Sequence, residues 1–485
     1  MLQSWPATFI MNVHYEKAYM EILHLRFDRA IEIINSEEEK DPGNLSHTYL
    51  MSYIDFLKVI ISEEQKNYDR LLSVKSSRLK QLESVTSKTP WRLYSLAQLN
   101  LQSAISSVKF GDYFKAARDI NKAYNLFNEN EKLFPDFNPN KAGLGLLHVL
   151  IGSIPDSFKW VTGMLGMEGD VDAGLKELQG VLIFEPDNLY PFLFTESLFI
   201  TTFVTFNLAG SDSNTSTLIK ILSDEQVTRQ IKVNPLLVYA ISSFYTNRGM
   251  NDKALELLIQ RPKGKEYYPF YYLDYLTGVA LLNKLDTKAR FYLLKYVTSF
   301  KGLNFIKSAY QRLAWSYLIE GNTEQYKNYI YRVSLFGSDD MDGDKEAVRE
   351  ARSGRSIHPD LLKVRLLFDG GYYTEAEELM QKLDQKTLKT TEKVEYTYRQ
   401  ARIYHSKGNL IKAKASYLET YKLGKNHQGY YAANSILKLG NIYEEEGKFE
   451  QALWCYHECL NLDFKEYRNS IHQKAKAGIN RLSKI

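Results

Sequence analysis

Apolar residues return every three or four positions along most of this chain, the period that lays one face of a helix against a core. Leu50, Ile54, Leu57 and Ile61 form one such face, within a stretch 45–85 that reads as long amphipathic helices. The helical period holds from Tyr15 to Leu133, with Asp41-Pro42-Gly43-Asn44 as its first strong break. Pro90-Trp91 opens a further helix pair, since proline suits the first turn of a helix. From Asn234 onward, helix pairs run to the C-terminus, interrupted by the acidic loop 338–346 and a turn at Pro359. Residues 189–210 are almost uncharged, with Glu196 as the only charge, and Phe192, Phe199, Phe203 and Phe206 recur on one helical face. That stripe predicts a buried helix, and Glu196 at its edge needs a hydrogen-bonding partner if it is buried. The serines and threonines of the segment argue against a membrane span.

A finer spacing is superimposed near the C-terminus: Gly440, Tyr443, Gly447, Phe449, Ala452 and Tyr456. It predicts two antiparallel helices, with Gly440 at a close crossing and Gly447 ending the first helix in a left-handed turn. Tyr443 fills a gap one turn on. Phe449 and Tyr456 plug the space between helices, and Ala452 is small where they touch. The pattern recurs as Ala401, Tyr404, Gly408, Ala413 and Tyr417, and as Leu367, Gly371, Tyr373, Ala376 and Met380. Weaker copies are Ala314, Tyr317, Gly321, Tyr326 and Ile330, then Tyr245, Gly249, Ala254 and Leu258. Gly111, Phe114, Ala116, Ile120 and Ala123 repeat it near the N-terminus, where Phe27, Ala30 and Ile34 suit the second helix of a first unit. This spacing resembles the tetratricopeptide repeat, a helix–turn–helix unit of about 34 residues that stacks into a solenoid. The expected fold is therefore an all-α superhelical solenoid. Its expected division is an N-terminal region, 1–230, with long apolar helices, and C-terminal repeats with a capping helix, 231–485.

Residues 134–180 stand apart. A turn-rich entry (FPDFNPN) leads into a nearly uncharged run from Gly143 to Gly152, broken at Ile154-Pro155. Trp160 continues the apolar character, and Leu165, Gly166, Gly169 and Asp170 form a turn before a Gly174-Leu175 helix start. This segment resembles the family of the fungal inclusion-body clearance protein and animal tetratricopeptide repeat protein 39, in its bacterial form. The resemblance covers about a tenth of the chain. It implies a non-catalytic adaptor, with family roles near lipid stores and membranes.

Composition narrows the partners. A net charge of +4 over 485 residues is too balanced to argue for nucleic acid. The basic residues of 464–485 suit a polar capping helix. Residues 1–13 lack the basic start and the long apolar run of a secretory signal. A cytoplasmic chain without a transmembrane helix is expected, or a periplasmic one if that segment is a trimmed leader.

No catalytic, cofactor or metal site is expected. Cys455 and Cys459 stand one turn apart, with His457 on the other side, too few ligands for a metal. Gly143-x-Gly145 lacks the third glycine and the preceding strand of a dinucleotide site. Ser338 to Gly343 resembles the start of a calcium loop, but Arg349 replaces the glutamate that would close it. His148 reads as a core histidine. The functional surface expected is the concave face of the first helices, carrying Trp315, Arg365, Tyr398, Arg402, His405 and Asn441. There the arginines would pair carboxylates of a protein or peptide partner, and Tyr398 and Trp315 would be aromatic anchors. Repeats that clamp a C-terminal carboxylate carry a lysine one turn before the asparagine, a place that Leu437 fills here. The second expectation is a lipid or other apolar ligand held around residues 143–210, bordered by Phe199, Phe203 and Trp160, with peripheral membrane contact.

Overall fold

The computed structural model describes residues 6–87, 89–154, 166–183, 190–208, 212–354 and 357–483. Pro155, Trp160 and Leu165, and with them the expected break and the tryptophan border, lie outside them. The fold is all-α, a tetratricopeptide-repeat helical solenoid whose residues divide into two compact units. The first holds residues 1–248, 252–277 and 292–304, and the second holds 249–251, 278–291 and 305–485.

The first unit begins with four antiparallel helix pairs. They are α1 (Val13–Leu23) with α2 (Phe27–Lys40), α3 (Ser46–Ser62) with α4 (Gln65–Glu83), α5 (Pro90–Lys109) with α6 (Tyr113–Leu133), and α7 (Asn138–Gly152) with α8 (Val171–Ile183). The first members pack on one another in series, α1 on α3, α3 on α5 and α5 on α7. Next come α9 (Pro191–Asn207), α10 (Asp212–Leu222), α11 (Glu225–Val233), α12 (Pro235–Asn247), α13 (Asn251–Gln260), α14 (Tyr272–Asn283) and α15 (Ala289–Ser299), of which Asn251, 278–283 and 289–291 belong to the second unit. Later segments tie back to the start. The Tyr268 N–H donates to the Leu25 carbonyl (2.7 Å), and the Asn304 N–H donates to Glu63 (3.2 Å).

The glycines of the 134–180 segment explain themselves here. A Cβ on Gly145 would stand 2.9 Å from the Gly174 carbonyl oxygen, and one on Gly174 2.5 Å from that of Gly145. The backbones of α7 and α8 touch at this crossing, so Gly143-x-Gly145 is a packing motif. Gly174 lies inside α8 and does not start it. The start is Asp170, whose carboxylate accepts the Ala173 N–H (2.7 Å) as an N-cap.

The second unit continues with α16 (Ile306–Leu318), α17 (Thr323–Arg332), α18 (Asp342–Ser353), α19 (Pro359–Gly370), α20 (Tyr373–Gln381), α21 (Thr390–Ser406), α22 (Leu410–Gly424), α23 (Tyr431–Glu445), α24 (Phe449–Asn461) and α25 (Arg468–Leu482). Here α19, α21, α23 and α25 stack as first helices, with α20, α22 and α24 behind them. Gly371, Gly408 and Gly447 all turn at φ between 72° and 85°, which only glycine adopts without strain. Ala376, Ala413 and Ala452 are fully buried at the tight crossings. A Cβ on Gly440 would lie 2.8 Å from the Tyr456 ring. Phe449 departs from its expected role as a plug: the first residue of α24 points outward and is 39% exposed. Phe114 is likewise exposed at the start of α6, because the chain there places it on the outer side of the turn. Asp344, in the expected acidic turn, is buried and accepts the N–H groups of Phe305 (2.6 Å) and Ser308 (2.8 Å), capping α16.

Candidate functional site

Two faces of stacked first helices are candidates. In the first unit the face is already filled. Helix α9 packs against α1 and α7, with Phe192 stacked on Tyr19 of α1 at 4.3 Å. Glu196 receives hydrogen bonds from Tyr53 of α3 (2.5 Å) and Tyr19 (3.2 Å). This is the partner its burial requires. Burial raises the pKa of its carboxyl, and the two tyrosine hydroxyls work against that rise. Of the expected phenylalanine stripe, α9 buries Phe192 fully and Phe199 and Phe206 in part. Ser197, Thr201, Thr202 and Thr205 are fully buried, whereas Phe203 is 39% exposed and stacks with Phe199 at 6.4 Å. Small hydroxyl side chains let this helix approach its neighbours closely, which phenylalanines would not. His148 is half-buried, with Nδ1 2.8 Å from Glu177.

In the second unit the expected residues fall into three sets. Trp315 and Tyr398, expected as anchors, are 2% and 1% exposed. The Trp315 Nε1–H donates to Glu350 (3.0 Å), and the Tyr398 hydroxyl accepts from Asn434 (2.7 Å). Both rings are closed into the helix packing. Arg365 pairs with Glu346 (2.5 Å) and Asp369 (3.6 Å), and its guanidinium lies 4.8 Å from the Trp315 ring centre. Burial opposes its charge, but the two carboxylates outweigh that and hold its pKa well above the ordinary value. Its charge is thus met within the chain.

Arg402 differs. It stacks on the Phe368 ring at 4.1 Å and lies 5.8 Å from that of Tyr398, and no carboxylate comes within ion-pairing distance among the described residues. His405 Nδ1 lies 3.1 Å from the Tyr417 hydroxyl, and burial, Lys438 and Arg402 lower its pKa. Asn441 accepts from the Tyr456 hydroxyl (3.0 Å), which Glu444 also engages.

The residue that the sequence reading passed over is Lys438. Leu437, counted into its place, is 3% exposed and belongs to the core. One position on, Lys438 turns toward Arg402. Burial, then Arg402 and Lys474, push its ammonium down to about 8, with Glu445 opposing them. It has no ion-pair partner among the described residues. Its position one turn from both Asn434 and Asn441 was the available signal. Cys455 and Cys459 are fully buried, and burial pushes both thiols up to about 12, the behaviour of packing residues.

No family model matches this sequence, and no curated protein matches it. Solved helical-repeat structures align with it at low superposition. The human IFIT1 dimer with m7Gppp-AAAA is 15% identical over 99% of this chain and 91% of its own, with a TM-score of 0.29. The APC/C hetero-tetramer Cut9–Hcn1 is 14% identical over 96% and 99%, with a TM-score of 0.25. The TPR domain of P58(IPK) is 12% identical over 88% and 99%, with a TM-score of 0.21. The fold assignment rests on the glycine turns and alanine crossings of the chain itself. Among the described residues no helix is long and apolar enough to cross a membrane.

Proposed function

We propose that this chain is a non-catalytic interaction scaffold. It holds a protein or peptide partner on the concave face formed by the first helices α19, α21, α23 and α25. The observation that carries this reading is the contrast between the two units. The first-helix face of the first unit is occupied by the chain's own α9, through Phe192 and Glu196. The corresponding face of the second unit holds Arg402 and Lys438 with no such occupant on them among the described residues. Rigid stacked helices present such a face ready-made, so a partner binds without first ordering it. The resemblance of residues 134–180 to an adaptor family points the same way.

The test is chemical cross-linking of the gently purified, tagged full chain, with cross-linked sites mapped by mass spectrometry. The expected partner links are at Lys438 and Lys474. A partner linked only through Lys422 and Lys448, on or beside the second helices, would defeat the reading.

A further inference from the structure

The facing helices α21 and α23 make a ladder whose rungs can be read one turn at a time. The first rung is Tyr398 and Asn434, closed by a 2.7 Å hydrogen bond. Moving four residues along each helix reaches Arg402 and Lys438, because residues one turn apart share a face. A further three residues reach His405 and Asn441. That third rung does not need a ligand, since each member is tied back to its own second helix, His405 to Tyr417 and Asn441 to Tyr456.

The second rung is unlike the others. It carries a cation on each helix, one turn past that bond, and no carboxylate lies within ion-pairing distance of either among the described residues. Adjacent packed helices lie about 8–10 Å apart, within reach of both side chains. The guanidinium carbon of Arg402 lies 4.1 Å from the Phe368 ring centre, a cation–π contact that restrains the side chain without using its N–H donors. Arg365, on the preceding first helix α19, shows how the chain treats a cation it keeps neutralised: it supplies Glu346 and Asp369. Among the described residues no such acid is supplied at Arg402 and Lys438. Glu445, two turns from Lys438, acts on it only from beyond ion-pairing distance.

We propose that Arg402 and Lys438 form an anion-binding subsite that takes a side-chain carboxylate of an acidic peptide segment. This rests on the scaffold reading for the peptide, and on the second rung for the carboxylate. A carboxylate matches the planar fork of Arg402 in a bidentate manner, and the Lys438 ammonium adds a point charge from the facing helix. Carboxylates are the anions a peptide carries without modification. Binding would also offset the like-charge repulsion by which Arg402 lowers the Lys438 pKa.

The experiment uses the full chain and a hexaglutamate peptide, amidated at its C-terminus so that only side chains carry charge. Hexaglutamine and inorganic phosphate are the controls, and binding is measured by calorimetry at low salt. Hexaglutamate is expected to bind and hexaglutamine not to. Arg402→Gln and Lys438→Met should each weaken hexaglutamate binding about tenfold or more, the effect of losing one charge-assisted hydrogen bond. Thermal melts check that both variants remain folded, and Arg365→Gln with its own acids left in place serves as a cation removed elsewhere. Unchanged binding by both variants overturns the subsite. So does equal loss in Arg365→Gln, which would mark a diffuse charge effect. Binding of phosphate in place of hexaglutamate overturns the carboxylate assignment. A partner that still cross-links at Lys474 while hexaglutamate ignores the pair would sink the subsite and spare the scaffold. Partner links confined to the second helices would sink the scaffold even if hexaglutamate binds.

Discussion

At the scale of single residues, Lys438 is the side chain with the most to report. Burial, then Arg402 and Lys474, push its ammonium down to about 8, below the ordinary lysine value. The folded chain therefore binds this proton more weakly than the unfolded chain does. Between about 8 and the unfolded lysine value, the unfolded state holds more protons, so the contribution of Lys438 to stability rises with pH. Below that window the charge is a standing cost. Lys438→Met is expected to stabilise the protein at neutral pH by about 1–2 kcal/mol, a figure reduced for the access that solvent keeps to the site. The gain should shrink as pH is raised toward 10, and urea denaturation at the two pH values measures it. An equal or lower stability at neutral pH would mean the ammonium is already compensated. Residues of this kind are where sequence reading ends. Gly440, Gly447 and Ala452 were legible because their demands are local: a turn with positive φ, or a backbone crossing a fixed number of residues later. Leu437 and Lys438 differ by one position, a rotation of about 100° on the helix. Choosing between them needs the register of α23 against α21, set by the Tyr398–Asn434 bond that no local pattern announces. The same limit explains Trp315, Tyr398 and Arg365. Glu350, Asn434 and Glu346 close on them from other helices.

At the scale of elements, the α7–α8 crossing and the seating of α9 make opposite kinds of contact. In the first, backbone meets backbone. Gly174→Ala would place its Cβ 2.5 Å from the Gly145 carbonyl oxygen and 2.9 Å from the Val149 backbone nitrogen, neither of which can swing aside. A loss of about 1–3 kcal/mol is expected from such overpacking. Gly180, two turns along the same helix, has nothing within 4 Å of the position a Cβ would take. Gly180→Ala should instead stabilise by up to about 1 kcal/mol through helix propensity. Chemical denaturation of the two variants checks the pair, and the same sign in both would refute the crossing. The seating of α9 depends on rings and one carboxyl. Phe192→Ala removes a fully buried ring stacked on Tyr19, at a cost of about 3–5 kcal/mol. Hydrogen exchange should then quicken in α9 and in the facing turns of α1 and α3. Faster exchange confined to the neighbourhood of Phe203 would show that the helix is held by its outer side instead. The phenylalanine period of α9 was visible in the sequence, but it runs from the fully buried Phe192 to the exposed Phe203 and marks no single face. A hydropathy count favours rings for the core, and close packing of hydroxyl side chains overrode it.

At the scale of the whole molecule, the chain does not finish one unit before starting the next. Residues 252–277 and 292–304 belong to the first unit, while 249–251 and 278–291 between and beside them belong to the second. A fragment ending at residue 230 therefore lacks Tyr268 and Asn304, which bond Leu25 and Glu63. Limited proteolysis is expected to cleave that fragment faster than one ending at 304, with early cuts in α2 and α3. Equal resistance would mean the late segments add nothing to the early helices. The interleaving also bears on how the chain is made. Domains fold as they leave the ribosome, the N-terminal one first. Here the Leu25 carbonyl waits for an amide nearly 250 positions downstream. Until that stretch has been synthesised, the opening helices stand with a polar group and the Phe27 ring uncovered. A nascent chain in that state is a natural client for chaperones, and a stall in translation shortly before Tyr268 would lengthen its exposure to proteases.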